Sequence, residues 1–96
     1  MVRVIVCYDT DSEECRVRLR ELLRDFGGCE VQYSVFELDI PPGRLSELVL
    51  RLKVLSSMYR VHVLVIPLCS SCSSRSMVIC HEDYGERESL EREFVL

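Results

Sequence analysis

Glu30–Ile40, EVQYSVFELDI, decides how this chain folds. Val31, Tyr33 and Val35 alternate with Gln32, Ser34 and Phe36, the two-residue period of an extended backbone. The segment is long for one strand, and Gln32 and Ser34 break its apolar continuity. It reads as a strand, a tight bend near Ser34, and a second strand through Phe36 and Leu38. On its N-terminal side, Gly27-Gly28 supplies the positive φ that ends a helix. On its C-terminal side, Pro41-Pro42-Gly43 stops the strand, and Pro42 suits the first position of a new helix.

The flanking segments carry helical stripes. Cys15, Leu19, Leu22, Leu23 and Phe26 recur at three- and four-residue steps, and so do Leu45, Leu48, Val49, Leu52 and Leu55. Thr10-x-x-Glu13 has capping-box spacing ahead of the first stripe, with Ser12 as a second possible cap. Ser56-Ser57 is expected to close the second helix. Arg16, Arg20 and Arg24 line up four apart, a pattern that also suits a solvated face pairing with Glu13 and Glu21.

Two further strands lie outside the helices. Val2–Asp11, VRVIVCYDTD, is rich in β-branched residues and apolar on both faces, which predicts a strand inside a sheet and covered on each side. Asp9 stands at its C-terminal end, where a carboxylate is held by a rigid element yet reaches water. Asp is equally a common turn residue. VHVLVIP, residues 61–67, is another strand apolar on both faces, so His62 is expected to be packed. Cys69–Ser74 reads as a polar loop, and Met77–Cys80 as a short fifth strand.

The order β-α-β-β-α-β gives an α+β, ferredoxin-like split βαβ: a four-stranded antiparallel sheet with both helices on one face. Residues 1–96 are expected to form one such domain, with 80–96 as an acidic C-terminal segment. Net charge is −4, all of it from that segment, because basic and acidic residues cancel over 1–79. The acidic balance therefore leaves room for a basic patch elsewhere. No apolar run approaches a membrane span and no leader pattern precedes the first strand, so a cytoplasmic protein without membrane contact is expected. In that compartment six cysteines do not read as a disulfide framework. Cys69-x-x-Cys72 could belong to a zinc site with Cys80 and His81, or to a redox pair, but a loop bearing two thiols or a local disulfide fits the spacing better.

Several of these residues resemble a known family. The strand ending in Tyr8-Asp9, the helix carrying Arg16 and Arg18, Val31-Gln32-Tyr33-Ser34-Val35-Phe36-Glu37, and Pro67-Leu68-Cys69 followed by Cys72 resemble the CRISPR-associated protein 2 family over most of residues 1–80. The resemblance implies the ferredoxin-like fold, a homodimer with facing sheets, and a C-terminal strand packed on the partner's sheet. It implies an endonuclease active on single-stranded RNA or double-stranded DNA with Mg²⁺ or Mn²⁺, with Asp9 from each protomer as metal ligand. Tyr8 joins Asp9 as a catalytic candidate, while Arg16, Arg18 and Phe36 are nucleic-acid-binding candidates. The implied partner is the CRISPR-associated protein 1 integrase in spacer acquisition. A non-catalytic scaffold that bridges the integrase and grips duplex DNA is the alternative, and a toxin-type ribonuclease of the same fold a third. Two positions depart from the pattern: Glu30 stands where some members are basic, and Pro41 where relatives often place a Thr or Ser cap.

Overall fold

A computed structural model describes residues 1–77 and 79. The elements are β1 (Val2–Thr10), α1 (Glu13–Asp25), β2 (Cys29–Gln32), β3 (Val35–Ile40), α2 (Pro42–Met58), β4 (Val61–Leu68) and α3 (Ser70–Ser74). The four strands form one sheet in the order β2-β3-β1-β4, antiparallel throughout. That is the expected ferredoxin-like α+β arrangement. The expected short strand at Met77–Cys80 and the acidic segment lie outside the described residues, as do Cys80 and His81. No helix among the described residues is long and apolar enough to cross a membrane.

The bend in Glu30–Ile40 falls at Tyr33-Ser34. Ser34 takes φ +65°, the left-handed backbone that reverses the chain between β2 and β3. Its N–H donates to Glu30 Oε2 at 3.1 Å, and its carbonyl accepts from Tyr8 N–H at 3.0 Å. The turn is thereby tied to β1 beside the end that carries Asp9.

Ser12, not Thr10, caps α1: its Oγ accepts from Cys15 N–H at 3.1 Å. Thr10 is drawn into a different role. Its hydroxyl donates to Arg60 O at 2.8 Å and accepts from Ser12 N–H at 3.2 Å, which clamps the end of β1 to the chain entering β4. The far end of α1 closes with paired reverse bonds, Gly28 N–H to Leu23 O at 2.8 Å and Gly27 N–H to Arg24 O at 2.9 Å, with Gly27 at φ +84°. Pro42 opens α2 as expected, and Pro41 before it offers no side-chain cap.

The core lies between one face of the sheet and the two long helices. Val4, Val6 and Tyr8 from β1 and Phe36, Leu38 and Ile40 from β3 meet Cys15, Leu19 and Leu23 of α1 and Leu48 and Leu52 of α2. Here the structure corrects the expectation that β1 is covered on both faces. Its burial alternates, and Ile5, Cys7 and Asp9 face away from the helices. Leu64 and Ile66 of β4 share that open face and are 50% and 38% exposed. The two long helices pack on one side, so apolar residues on the other side remain partly accessible. A small cluster of Val31, Ile5 and Val35 sits there as well.

The Cys69–Ser74 segment also differs from expectation, forming a short helix instead of a loop. Cys69 is its N-cap, with Sγ accepting from Cys72 N–H at 3.4 Å. That bond, together with the Cys72 thiol, pulls the Cys69 thiol below its ordinary range. Both thiols are free and exposed.

Candidate functional site

The site begins with side-chain parity in β1. Val4, Val6, Tyr8 and Thr10 turn to the helices, so Asp9 turns to the open face and is exposed. On the neighbouring strand, His62 is its register partner and is likewise exposed. This corrects the reading of His62 as packed: Val61, Val63 and Val65 face the core, and their alternation turns His62 out. Beside the two residues lies an open hollow of about 520 Å³, whose lining includes Asp9, Asp11, Tyr59, Arg60 and His62.

Asp9 and His62 give a carboxylate and an imidazole on a rigid sheet. A hard ion such as Mg²⁺ accepts one or two carboxylates and fills its remaining positions with water and substrate phosphate. The donor set therefore suits Mg²⁺ or Mn²⁺, but the described residues of one chain do not complete a cage. Among the described residues no group of three or more His, Cys, Asp or Glu side chains converges on a common point.

Tyr8 is adjacent to Asp9 in sequence and opposite to it in space. It is buried in the core, 5% exposed, with its ring 6.3 Å from that of Phe36. Its hydroxyl makes no hydrogen bond among the described residues. Burial and then the Glu30 carboxylate push the phenol above its usual range, against the opposing pull of Arg20 and Ser34. A neutral buried phenol on the helix side does not line the Asp9 hollow. Phe36 is corrected for a similar reason. Its exposure is 0%, because it pairs in register with Val6 and shares the core face. It has no face to offer a base.

The two arginines do not act together. Arg16 reaches back over the end of β1, donating to Thr10 O at 2.6 Å and pairing with Glu13. Arg18, two residues on, points away and pairs with Glu14 at 3.6 Å; Glu14 also accepts from the Tyr59 hydroxyl at 2.7 Å. Arg16 aligns instead with Arg20 along one face of α1. Arg20 pairs with Glu30 at 3.7 Å rather than with Glu21. The guanidinium carbons of Arg16 and Arg20 each lie 5.7 Å from the ring centroid of Tyr33, and that of Arg24 lies 6.0 Å from Phe36.

His62, Arg20 and Tyr33 are thus the residues that sequence reasoning did not place at the site. The signal for His62 was the apolar alternation around it, which separates odd from even positions but does not say which set faces the helices. For Tyr33 it was the bend itself, which takes the ring out of the strand alternation.

With this geometry in view, likeness to known proteins becomes informative. Residues 1–76 match the family model described as CRISPR associated protein Cas2. A relative named CRISPR-associated endoribonuclease Cas2 1, from Methanospirillum hungatei, is 32% identical over 80 residues, 83% of each chain. One of the same name from Archaeoglobus fulgidus is 36% identical over 75 residues, 78% of this chain and 80% of the relative. Among solved structures, a hypothetical protein from Thermus thermophilus superposes with TM-score 0.68 at 26% identity, covering 83% of this chain and 92% of that one. A chain of a partial Cas6-RT-Cas1–Cas2 complex superposes with TM-score 0.66 at 25% identity, covering 82% and 85% respectively. The ferredoxin-like sheet, the Tyr8-Asp9 strand end and the family model spanning nearly all described residues lead to one conclusion: the chain belongs to the CRISPR-associated protein Cas2 family.

Proposed function

We propose that this chain is a metal-dependent endonuclease subunit that acts in spacer acquisition, with single-stranded RNA as its first substrate class. The observation that carries this reading is the exposed Asp9 at the end of a central strand, on the sheet face that the helices leave open. The apolar residues on that face, Ile5, Leu64 and Ile66, suit a second copy of the chain, which would bring two Asp9 carboxylates into one site. The preference for RNA is supported by the endoribonuclease names of the relatives.

A divalent ion at this place, Mg²⁺ or Mn²⁺, would polarise the phosphoryl oxygen and supply an activated water. Asp9 would hold the ion from the sheet. A second Asp9 beside it would be a like-charge neighbour, and an ion between them would offset that repulsion. His62, opposite Asp9 in the sheet, is positioned to hold or pass a proton at the same hollow. Arg16 would hold the backbone at the end of β1 in place through Thr10.

The second reading, a non-catalytic dimer bridging the Cas1 integrase and holding duplex DNA, is favoured by likeness to a chain from a Cas6-RT-Cas1–Cas2 complex. Cleavage of single-stranded RNA and duplex DNA by wild type and Asp9→Ala, with Mg²⁺ and with chelator, separates the two. The enzyme reading expects Mg²⁺-dependent cleavage that falls by roughly a hundredfold or more in Asp9→Ala, as for loss of an electrostatic catalytic group. Cleavage that survives the substitution would refute it. Absence of cleavage by a wild type that still supports spacer acquisition leaves the scaffold alone.

A further inference from the structure

Tyr33 is an exposed aromatic ring approached by two arginines. It sits in the turn between β2 and β3, with 66% of its surface accessible. The turn is braced at Ser34 by Glu30 and by the backbone of Tyr8, the residue next to Asp9. Both guanidinium groups that approach the ring come from α1, four residues apart. Neither is loose. Arg16 is tied to Thr10 and Glu13, and Arg20 to Glu30. Arg16 also joins the ring to the end of β1, because the same side chain contacts Thr10 O and Tyr33.

We infer that Tyr33 is a base-stacking residue for single-stranded nucleic acid, pre-positioned by Arg16 and Arg20 beside the Asp9 end of the sheet. The inference rests on the nucleic-acid reading above and adds the residue that grips the substrate. Two cations against the ring restrict the rotamers it would otherwise sample, so less ordering entropy is lost when a base lands on its exposed surface. An unpaired base can present its face to the ring, whereas a base within a duplex is already stacked on its neighbours. Because Arg16 and Arg20 are engaged with carboxylates and a carbonyl, their task is to orient the ring and not to neutralise phosphates. Tyr33 therefore takes the stacking role that Phe36, buried in the core, cannot perform.

The test measures equilibrium binding of a fluorescein-labelled oligouridylate of about ten nucleotides, a length within the usual span of such sites, and of a DNA duplex of similar length. Chelator is present throughout, so cleavage does not interfere. Tyr33→Ala is expected to weaken single-strand binding about tenfold, within the span that loss of one stacked base produces. Duplex affinity should change by less than about twofold, and the dependence on salt should keep its slope, since no phosphate contact is removed. Tyr33→Phe keeps the ring and is expected to bind like wild type. Tyr33→Leu keeps apolar bulk without a π-face and is expected to lose as much as Tyr33→Ala. Unchanged single-strand affinity in Tyr33→Ala overturns the inference while leaving the proposed function standing. So does an equal loss on both substrates, or full binding by Tyr33→Leu. A wild type that binds neither substrate overturns both.

Discussion

At the scale of the residue, one peptide step separates a core position from a surface one. Tyr8 and Asp9 are neighbours in sequence, yet the first contributes to packing and the second faces the hollow. The buried Tyr8 hydroxyl has no hydrogen bond of good geometry among the described residues, and Arg20 and Ser34 only partly oppose the cost of its burial. Tyr8→Phe is expected to leave stability unchanged or raise it by up to about 1 kcal/mol near pH 7, read from urea unfolding midpoints. The pH dependence follows from the raised pKa of this phenol. The fold favours the protonated form, so that contribution is fully present below the unfolded value of about 10 and is lost as pH rises through the folded value. Wild type should therefore lose stability relative to Tyr8→Phe as the solution passes above about pH 10. A parallel decline of the two proteins would show that Tyr8 ionises without cost. Sequence pattern could not separate these two side chains by role. Val2–Thr10 is apolar at both parities, which hides the face that will be covered.

At the scale of the element, the strand–helix junctions were largely legible. Gly27-Gly28 was read as the end of α1, and the structure shows why both glycines serve there. Gly27 adopts φ +84° with open space around it, whereas a Cβ on Gly28 would stand 2.7 Å from Leu23 O. The two should respond differently. Gly27→Ala places an L-residue in left-handed backbone and is expected to cost about 1 kcal/mol. Gly28→Ala must displace the last turn of α1, because the atom it meets is backbone, and is expected to cost more, about 2 kcal/mol or above. Equal unfolding midpoints for the two variants would contradict this account. The N-terminal cap was less legible, since Thr10 and Ser12 both satisfied the local pattern. Tertiary contact decided between them: Thr10 is engaged by Arg60 O at the entry to the adjacent strand β4, leaving Ser12 to cap. The Cys69–Ser74 segment was misread because serines are poor helix interiors but good caps and turns. Cys69 itself supplies the cap that lets a single turn form.

At the scale of the whole molecule, the open sheet face is the feature that joins structure to function. Leu64 and Ile66 project from it, with Ile5 and Cys7 on the adjacent strand. In the proposed homodimer this face is covered, and burial of such side chains contributes roughly 25 cal/mol per Å² of apolar surface removed from water. Leu64→Arg should therefore break the dimer while sparing the fold, since half of Leu64 is already accessible in one protomer. Light scattering should give twice the protomer mass for wild type and the protomer mass for the variant, with circular dichroism alike. Wild type that scatters as a monomer would remove the basis for a site shared between two Asp9 residues. The same face explains why the candidate site was only partly legible. Asp9 could be singled out by its place at a strand end, but His62 becomes visible as its neighbour only when β1 and β4 are paired in register.

The sequence by itself determined the order of elements, the two-strand reading of Glu30–Ile40 and the strand end that carries Asp9. These depend on short-range chemistry: apolar periodicity, proline and glycine at junctions, and β-branched runs. Only the tertiary structure decided that Phe36 and Tyr8 belong to the core, that Arg16 and Arg18 diverge, and that Tyr33 stands exposed before Arg16 and Arg20. A strand apolar on both faces leaves its own orientation open. The face becomes fixed when two helices cover one side of the sheet, and a turn residue acquires neighbours only when a helix distant in sequence is laid beside it.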